Sequence, residues 1–190
     1  LKLPRFTLIG ATTNIGSLTS AFRSRFGATY KLDFYENEDI EKIVKRSSRI
    51  LNVKSDEAGI NLIASRSRQT PRVANRLLKR VRDYAQVKAD GIVNKNIAEK
   101  ALAMLAVDEL GLESVDRKIL ETIIKKFSGG PVGIQALAAS TGEEENTILE
   151  VYEPYLLQLG FINRTPRGRE ATLSAYNHLG LKARKTQNLI

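Results

Sequence analysis

The sequence has no cysteine and no tryptophan, a single methionine and a single histidine, His178. Without cysteine there is no disulfide framework and no thiolate metal site, a composition at ease in a reducing cytosol. One histidine, near the C-terminal end, fits a structural or surface role rather than catalysis. No apolar run approaches the length of a membrane span. Acid is missing as well. No Asp or Glu occurs between Leu1 and Lys31, although Arg23 and Arg25 stand two residues apart in the stretch SAFRSRF. No G-x-x-x-x-G-K-[ST] run occurs, so the phosphate cradle of a P-loop and its lysine are not in this sequence. Ala106-Val107-Asp108-Glu109 looks superficially like a Walker B strand end, but it follows a helical pattern. The chain opens on Leu1 and runs at once into FTLI, so it is read as a segment of a longer protein.

What is present is base. The 190 residues carry a formal net charge of +9, and the excess lies in the first half. Residues 1–35 hold +4 and residues 36–106 hold +6, whereas residues 109–190 balance to zero. Such an excess suits an acidic partner such as nucleic acid, and it equally suits a solvated basic surface.

Hydrophobic period organises the chain into parts. Residues 6–11 (FTLIGA) read as a short buried strand, followed by a helical turn through SLTSAFRSRF and a second strand near residues 30–34. Helices are expected from Asn37 to about Leu51, from Ser55 to about Arg66, from Thr70-Pro71-Arg72 to about Lys88, and from Asn96 to Leu105. Together these make a small all-α domain over 36–106. Beyond a linker at 109–113, a helix opens near Asp116 and ends at Gly129-Gly130-Pro131. A short helix follows over 134–139. Thr141-Gly142-Glu143-Glu144 reads as a capping box launching a third helix that Pro154 should loosen. Two short strands then flank Thr165-Pro166-Arg167-Gly168, where Pro at i+1 and Gly at i+3 fit a type I turn. Three helices and a hairpin make a winged helix over 109–181, and residues 182–190 read as a disordered tail.

Three places could carry chemistry. Thr70 suits an N-cap and Pro71 the first helical position, which puts Arg72 in the first turn. A cation there opposes the helix macrodipole unless an anion binds at that end; the other reading is an Arg paired with an exposed carboxylate. Arg25 could clamp phosphate in two-pronged fashion or form a structural salt bridge, for example to Asp33. Thr12, Thr13 and Asn14 end the first expected strand, where α/β folds bind ligands. Arg23 stays unassigned.

In this order, FTLIGATTNIGSLTSAFRSRFG, LDFYENED, TPRVANRLLKRVRDYA, DRKILETIIKKFSGGPVG and EPYLLQLGFINRTPRGR resemble the RuvB family, the bacterial AAA+ motors of Holliday-junction branch migration. The resemblance runs from about Phe6 to Leu181. It implies a mainly α chain: a remnant of the α/β AAA+ core (1–35), a small helical-bundle lid (36–106) and a C-terminal winged-helix head. It also implies that Thr13 is sensor 1, Arg25 the arginine finger acting on a neighbouring subunit, Tyr35 a residue beside the nucleotide, and Arg72 sensor 2. Arg164, Arg167 and Arg169 of the wing would contact DNA. The cofactor implied is ATP with Mg2+, bound mainly by residues outside this chain. The implied setting is a cytoplasmic hexameric helicase of DNA recombination, repair and the SOS response, working with RuvA and RuvC. This segment alone is expected neither to hydrolyse ATP nor to dock RuvA through the family's hairpin. The sequence departs from the family at Asn14, Ala21-Phe22 and Gln69, the last standing where Gly is common.

Glu143, Glu144 and Glu145 at the start of the third helix of the head would repel DNA phosphates, whereas Asn163–Arg169 holds three arginines and no acid. Backbone contact through the wing, with little sequence preference, is therefore expected. The alternatives are a winged-helix transcription regulator, which those glutamates disfavour, and a clamp-loader-like AAA+ switch protein, which would not need the basic wing.

Overall fold

The computed structural model describes residues 4–182. The chain divides into two units, Leu1–Asp33 and Phe34–Ile190. In the first, Asn14 caps a 3-10 turn (Ile15–Ser17) by accepting from the Ser17 N–H, and Thr19 caps the short helix α1 (Ser20–Arg23) by accepting from Phe22. The rings of Phe22 and Phe26 meet edge to face at 5.3 Å. Neither expected strand forms. Residues 6–11 and 30–34 are irregular, with Ile9 88% and Leu32 90% exposed. A strand needs a neighbour for its backbone groups, and among the described residues of this unit neither segment has one.

The second unit holds two hydrophobic cores. The first is built by α2 (Asn37–Ile50), α3 (Glu57–Ser65), α4 (Pro71–Lys88) and α5 (Lys95–Met104). Their apolar positions recur at helical spacing, so Ile40 and Val44, Ile60 and Ile63, Leu77, Leu78 and Val81, and Ala98 and Leu102 converge in one interior. Two-residue strands β1 (Lys54–Ser55) and β2 (Ile92–Val93) pair in parallel and close the bundle; they are too short to leave a period in the sequence.

The second core packs α6 (Ser114–Glu121), α7 (Ile134–Thr141), α8 (Glu145–Thr147) and α9 (Glu153–Gln158) against the hairpin β3 (Ile162–Thr165) and β4 (Gly168–Ala171). A further helix of this group, α10 (Leu173–His178), is capped by Thr172, whose side chain accepts from the Ala175 N–H. The long third helix is in fact α8, a π-helical turn over Ile148–Tyr152, and α9. Pro154 cannot donate, and the wide turn ends two residues before it. The expected capping box at 141–144 is also corrected. Thr141 is the last residue of α7, where its hydroxyl donates to the Leu137 carbonyl, and Gly142 ends that helix at φ +72°. A left-handed glycine there is a helix stop rather than a start. At the hairpin tip, Gly168 has φ +136° and a Cβ would collide with the Val132 carbonyl, so the close approach of Val132 to β4 requires glycine. The tail read as disordered lies, from residue 183 on, outside the described residues.

Candidate functional site

The loop entering α4 is held in an unusual way. Arg68 and Gln69 both have positive φ, +55° and +53°. Each non-glycine in that conformation costs roughly 1 kcal/mol, so the surrounding contacts must hold the loop there. They do so from the second core. Arg68 Nε donates to the Gly111 carbonyl at 2.8 Å, and its two terminal nitrogens fork onto Asp116, Nη2 to Oδ2 at 2.5 Å. Glu113 Oε1 lies 3.5 Å from the same guanidinium, and the Tyr155 ring lies beneath it at 5.0 Å. Asp116 is fully buried and also accepts from the Glu113 N–H at 2.7 Å. Burial pushes its carboxyl above the ordinary carboxylate range, against the opposing pull of Arg68 and of the Glu113 N–H. Gln69 adds two ties. Its backbone carbonyl accepts from the Tyr35 N–H at 3.3 Å, and its side-chain oxygen from Gln158 Nε2 at 2.6 Å.

This loop delivers the chain to α4. Pro71 occupies the first turn of that helix, and Arg72 follows, exposed. Thr70 stands at the N-cap, but its hydroxyl donates backwards to the Ser67 and Arg68 carbonyls and caps nothing. The first amides of α4 therefore receive no side-chain cap. Arg76 is drawn to Glu113 and Arg82 to Asp83, whereas among the described residues no carboxylate lies within ion-pair distance of Arg72, Lys79 or Arg80. Tyr35 and the loop before Arg72 are thus brought together. Thr13 and Arg25 lie in the other unit, both exposed. The salt bridge to Asp33 allowed for Arg25 is not made: Asp33 pairs with Lys31 at 3.4 Å.

The wing differs from its sequence reading. Arg164 and Arg169 face each other across β3 and β4, and both turn to Glu153 at the start of α9. Arg164 Nε donates to Oε1 at 2.8 Å and Arg169 Nη2 to Oε2 at 2.9 Å. Glu153 is 1% exposed and Arg169 only 9%. Arg169, expected as a DNA contact, is in this structure an internal partner of Glu153 with little of its guanidinium exposed. Arg164 keeps about half of its side chain exposed (55%), and Arg167, at the hairpin tip, is exposed with no carboxylate near it among the described residues. Glu144 and Glu145 are exposed at the start of α8. His178 binds Asp108 Oδ2 at 2.9 Å and stacks on Phe161, a structural role.

Family models account for the chain in three consecutive blocks. Residues 1–32 match the Holliday junction DNA helicase RuvB P-loop domain, residues 35–108 the RuvB AAA lid domain, and residues 109–180 the RuvB C-terminal winged helix domain. The Holliday junction branch migration complex subunit RuvB of Dehalococcoides mccartyi (strain CBDB1) is 59% identical over 188 residues, which is 99% of this chain and 54% of that protein. The chain belongs to the RuvB family. It spans about half the length of the curated relative it matches. The Thermotoga maritima RuvB Holliday junction branch migration motor superposes with a TM-score of 0.81 at 52% identity, over 88% of this chain and 56% of the other. A lysine-to-arginine mutant of the same Thermotoga protein gives 0.82 at 50% identity over the same shares. Within the RuvB frame the departure at Gln69 has a physical meaning. The position has φ +53°, where glycine carries no penalty, and this chain uses a side chain there that reaches Gln158.

No signal in the sequence singled out Arg68 or Glu153, and Asp116 was marked only as the opening of a helix. Asp116 and Glu153 are charged residues inside amphipathic patterns and Arg68 stands in the loop before α4, and each finds its partner at a distance in the sequence.

Proposed function

We propose that this chain is the lid and DNA-gripping head of an ATP-dependent branch-migration motor, acting as part of a longer protein. The observation that carries the reading is Arg72. It is exposed, without a carboxylate partner among the described residues, on the uncapped first turn of α4, after a loop tied directly to the winged head. An anion at that end would receive the free amides and the guanidinium together, which relieves the cost of a cation at a helix N-terminus. These residues fit the γ-phosphate end of ATP with Mg2+, which supplies the hydrolysable phosphoanhydride when bound. In this reading Arg72 senses the anion from the lid, Tyr35 lies beside the nucleotide, Thr13 orients the attacking water, and Arg25 reaches the nucleotide of the next subunit in a hexameric ring. Arg167 and the exposed part of Arg164 hold the phosphate backbone of a junction arm, without reading sequence. RuvA and RuvC would share the junction in the cytoplasm, in the processes of recombination, repair and the SOS response.

The test is duplex binding by this chain as a function of salt, with a four-way junction in parallel. Arg167→Ala together with Arg164→Ala should weaken binding to every sequence about equally and flatten the salt dependence. Tight binding to one sequence with a steep mismatch penalty would favour a transcription regulator instead.

A further inference from the structure

Two domains joined by a flexible linker would swing independently, yet here the connection is clamped along its length. Asp108 accepts from the Leu110 and Leu112 amides at 3.0 and 2.8 Å and pairs with Arg117 and His178. Arg117 also donates to the Ala106 and Leu112 carbonyls, at 2.7 and 2.9 Å. Gly111, at φ +76°, packs so closely on the Arg66 carbonyl that a Cβ would not fit. Arg66 Nη1 in turn lies 3.5 Å from the Val107 carbonyl. Arg68 stands at the centre of this arrangement. Its guanidinium binds the linker through Gly111 and the head through Asp116 and Glu113, and it rests on Tyr155 of α9. A buried ion pair contributes little net stability against apolar packing, but its fork geometry admits one relative orientation.

We propose that Arg68 is a positioning residue that locks the winged head onto the loop leading to Arg72, so that lid and head turn as one rigid arm. The inference deepens the proposed motor function and rests on it for its biological meaning, though not for its geometry. A displacement of the α4 entry is then transmitted to the wing at full amplitude, because no compliant segment lies between them. Without the lock, motion at Arg72 is absorbed at 107–113 and the grip on DNA is left behind.

The experiment has two arms. The chain contains no cysteine, so Ile50→Cys on α2 and Leu173→Cys on α10, both exposed, can carry a spin-label pair. The parent should give one narrow distance distribution, and Arg68→Ala a distribution at least twice as broad with the helical signal unchanged. If Arg68→Ala fails to fold, Asp116→Asn replaces it, since an amide oxygen still accepts from the Glu113 N–H while the charged fork is lost. A narrow distribution in the folded variant overturns the proposal. In the second arm, the full-length protein carrying Arg68→Ala should move junctions at least tenfold less per ATP hydrolysed than the parent, whatever its rate of hydrolysis. Parallel loss of both activities indicates mere destabilisation and overturns the positioning role. If the parent itself moves no junction, the motor reading fails, and the label distances alone decide the lock.

Discussion

Arg169 and Glu153 form an internal ion pair, 2.9 Å from Nη2 to Oε2, with both side chains almost wholly removed from solvent. The pair ties β4 of the wing to the start of α9, and Arg164 shares the same carboxylate. Replacing Glu153 with Ala leaves Arg169 charged and buried without a partner. The expected cost is roughly 3–5 kcal/mol of head stability, read by urea denaturation of the chain.

The same geometry predicts different effects for the wing arginines. Arg167→Ala should leave the unfolding midpoint within a degree or two and reduce the salt slope of duplex binding by about one. Arg169→Ala should do the reverse at first sight, lowering the midpoint sharply. DNA binding by its folded fraction should stay close to that of the parent. Fluorescence anisotropy against salt, paired with thermal melts, separates the two.

Gly168→Ala should cost more than about 2 kcal/mol, because the residue combines φ +136° with backbone contact to Val132. Gly142→Ala is the control. It also has positive φ, but open space surrounds its Cβ position, so only the conformational penalty of about 1 kcal/mol applies.

Asp116 gives a pH signature. Its folded carboxyl is raised above the ordinary 3.8, mainly by burial, so the native state holds the proton more tightly than the unfolded chain. The contribution to stability is therefore present at low pH and is lost as pH rises from about the unfolded value through the folded one. Denaturation midpoints of the parent relative to Asp116→Asn should fall across that acidic window and become flat above it. A difference that grows in the parent's favour with rising pH would reverse the assigned shift.

Much of the fold could be read from period alone. The helices of the first core follow from apolar residues at helical spacing, and Pro71 marks the start of α4. The winged helix follows from three helical segments and the TPRG hairpin turn. The misreadings share a cause: local chemistry was judged without its long-range partner. Residues 6–11 have strand composition but no neighbouring strand in their unit. Thr141 has the residue type of a cap, yet Gly142 turns left-handed and makes it an ending. Arg68 and Gln69 break the usual preference for glycine at positive φ, and Asp116, the residue that compensates Arg68, is 48 positions away. Arg169 was legible as a charge on a wing, but Glu153 lay inside a helical pattern that gave it no special standing.

Arg25 provides the most direct test of the motor account. It is exposed, with no carboxylate within ion-pair distance among the described residues. Full-length Arg25→Ala protein is mixed with a second variant that retains Arg25 but cannot bind ATP, and ATP-driven dissociation of a synthetic four-way junction is followed. The account predicts that Arg25→Ala alone loses roughly a thousandfold or more in ATP turnover while still binding nucleotide. It also predicts that the mixture recovers hydrolysis only where an Arg25-bearing subunit adjoins an ATP-bearing one. Undiminished hydrolysis and junction dissociation by rings made wholly of Arg25→Ala subunits would contradict it.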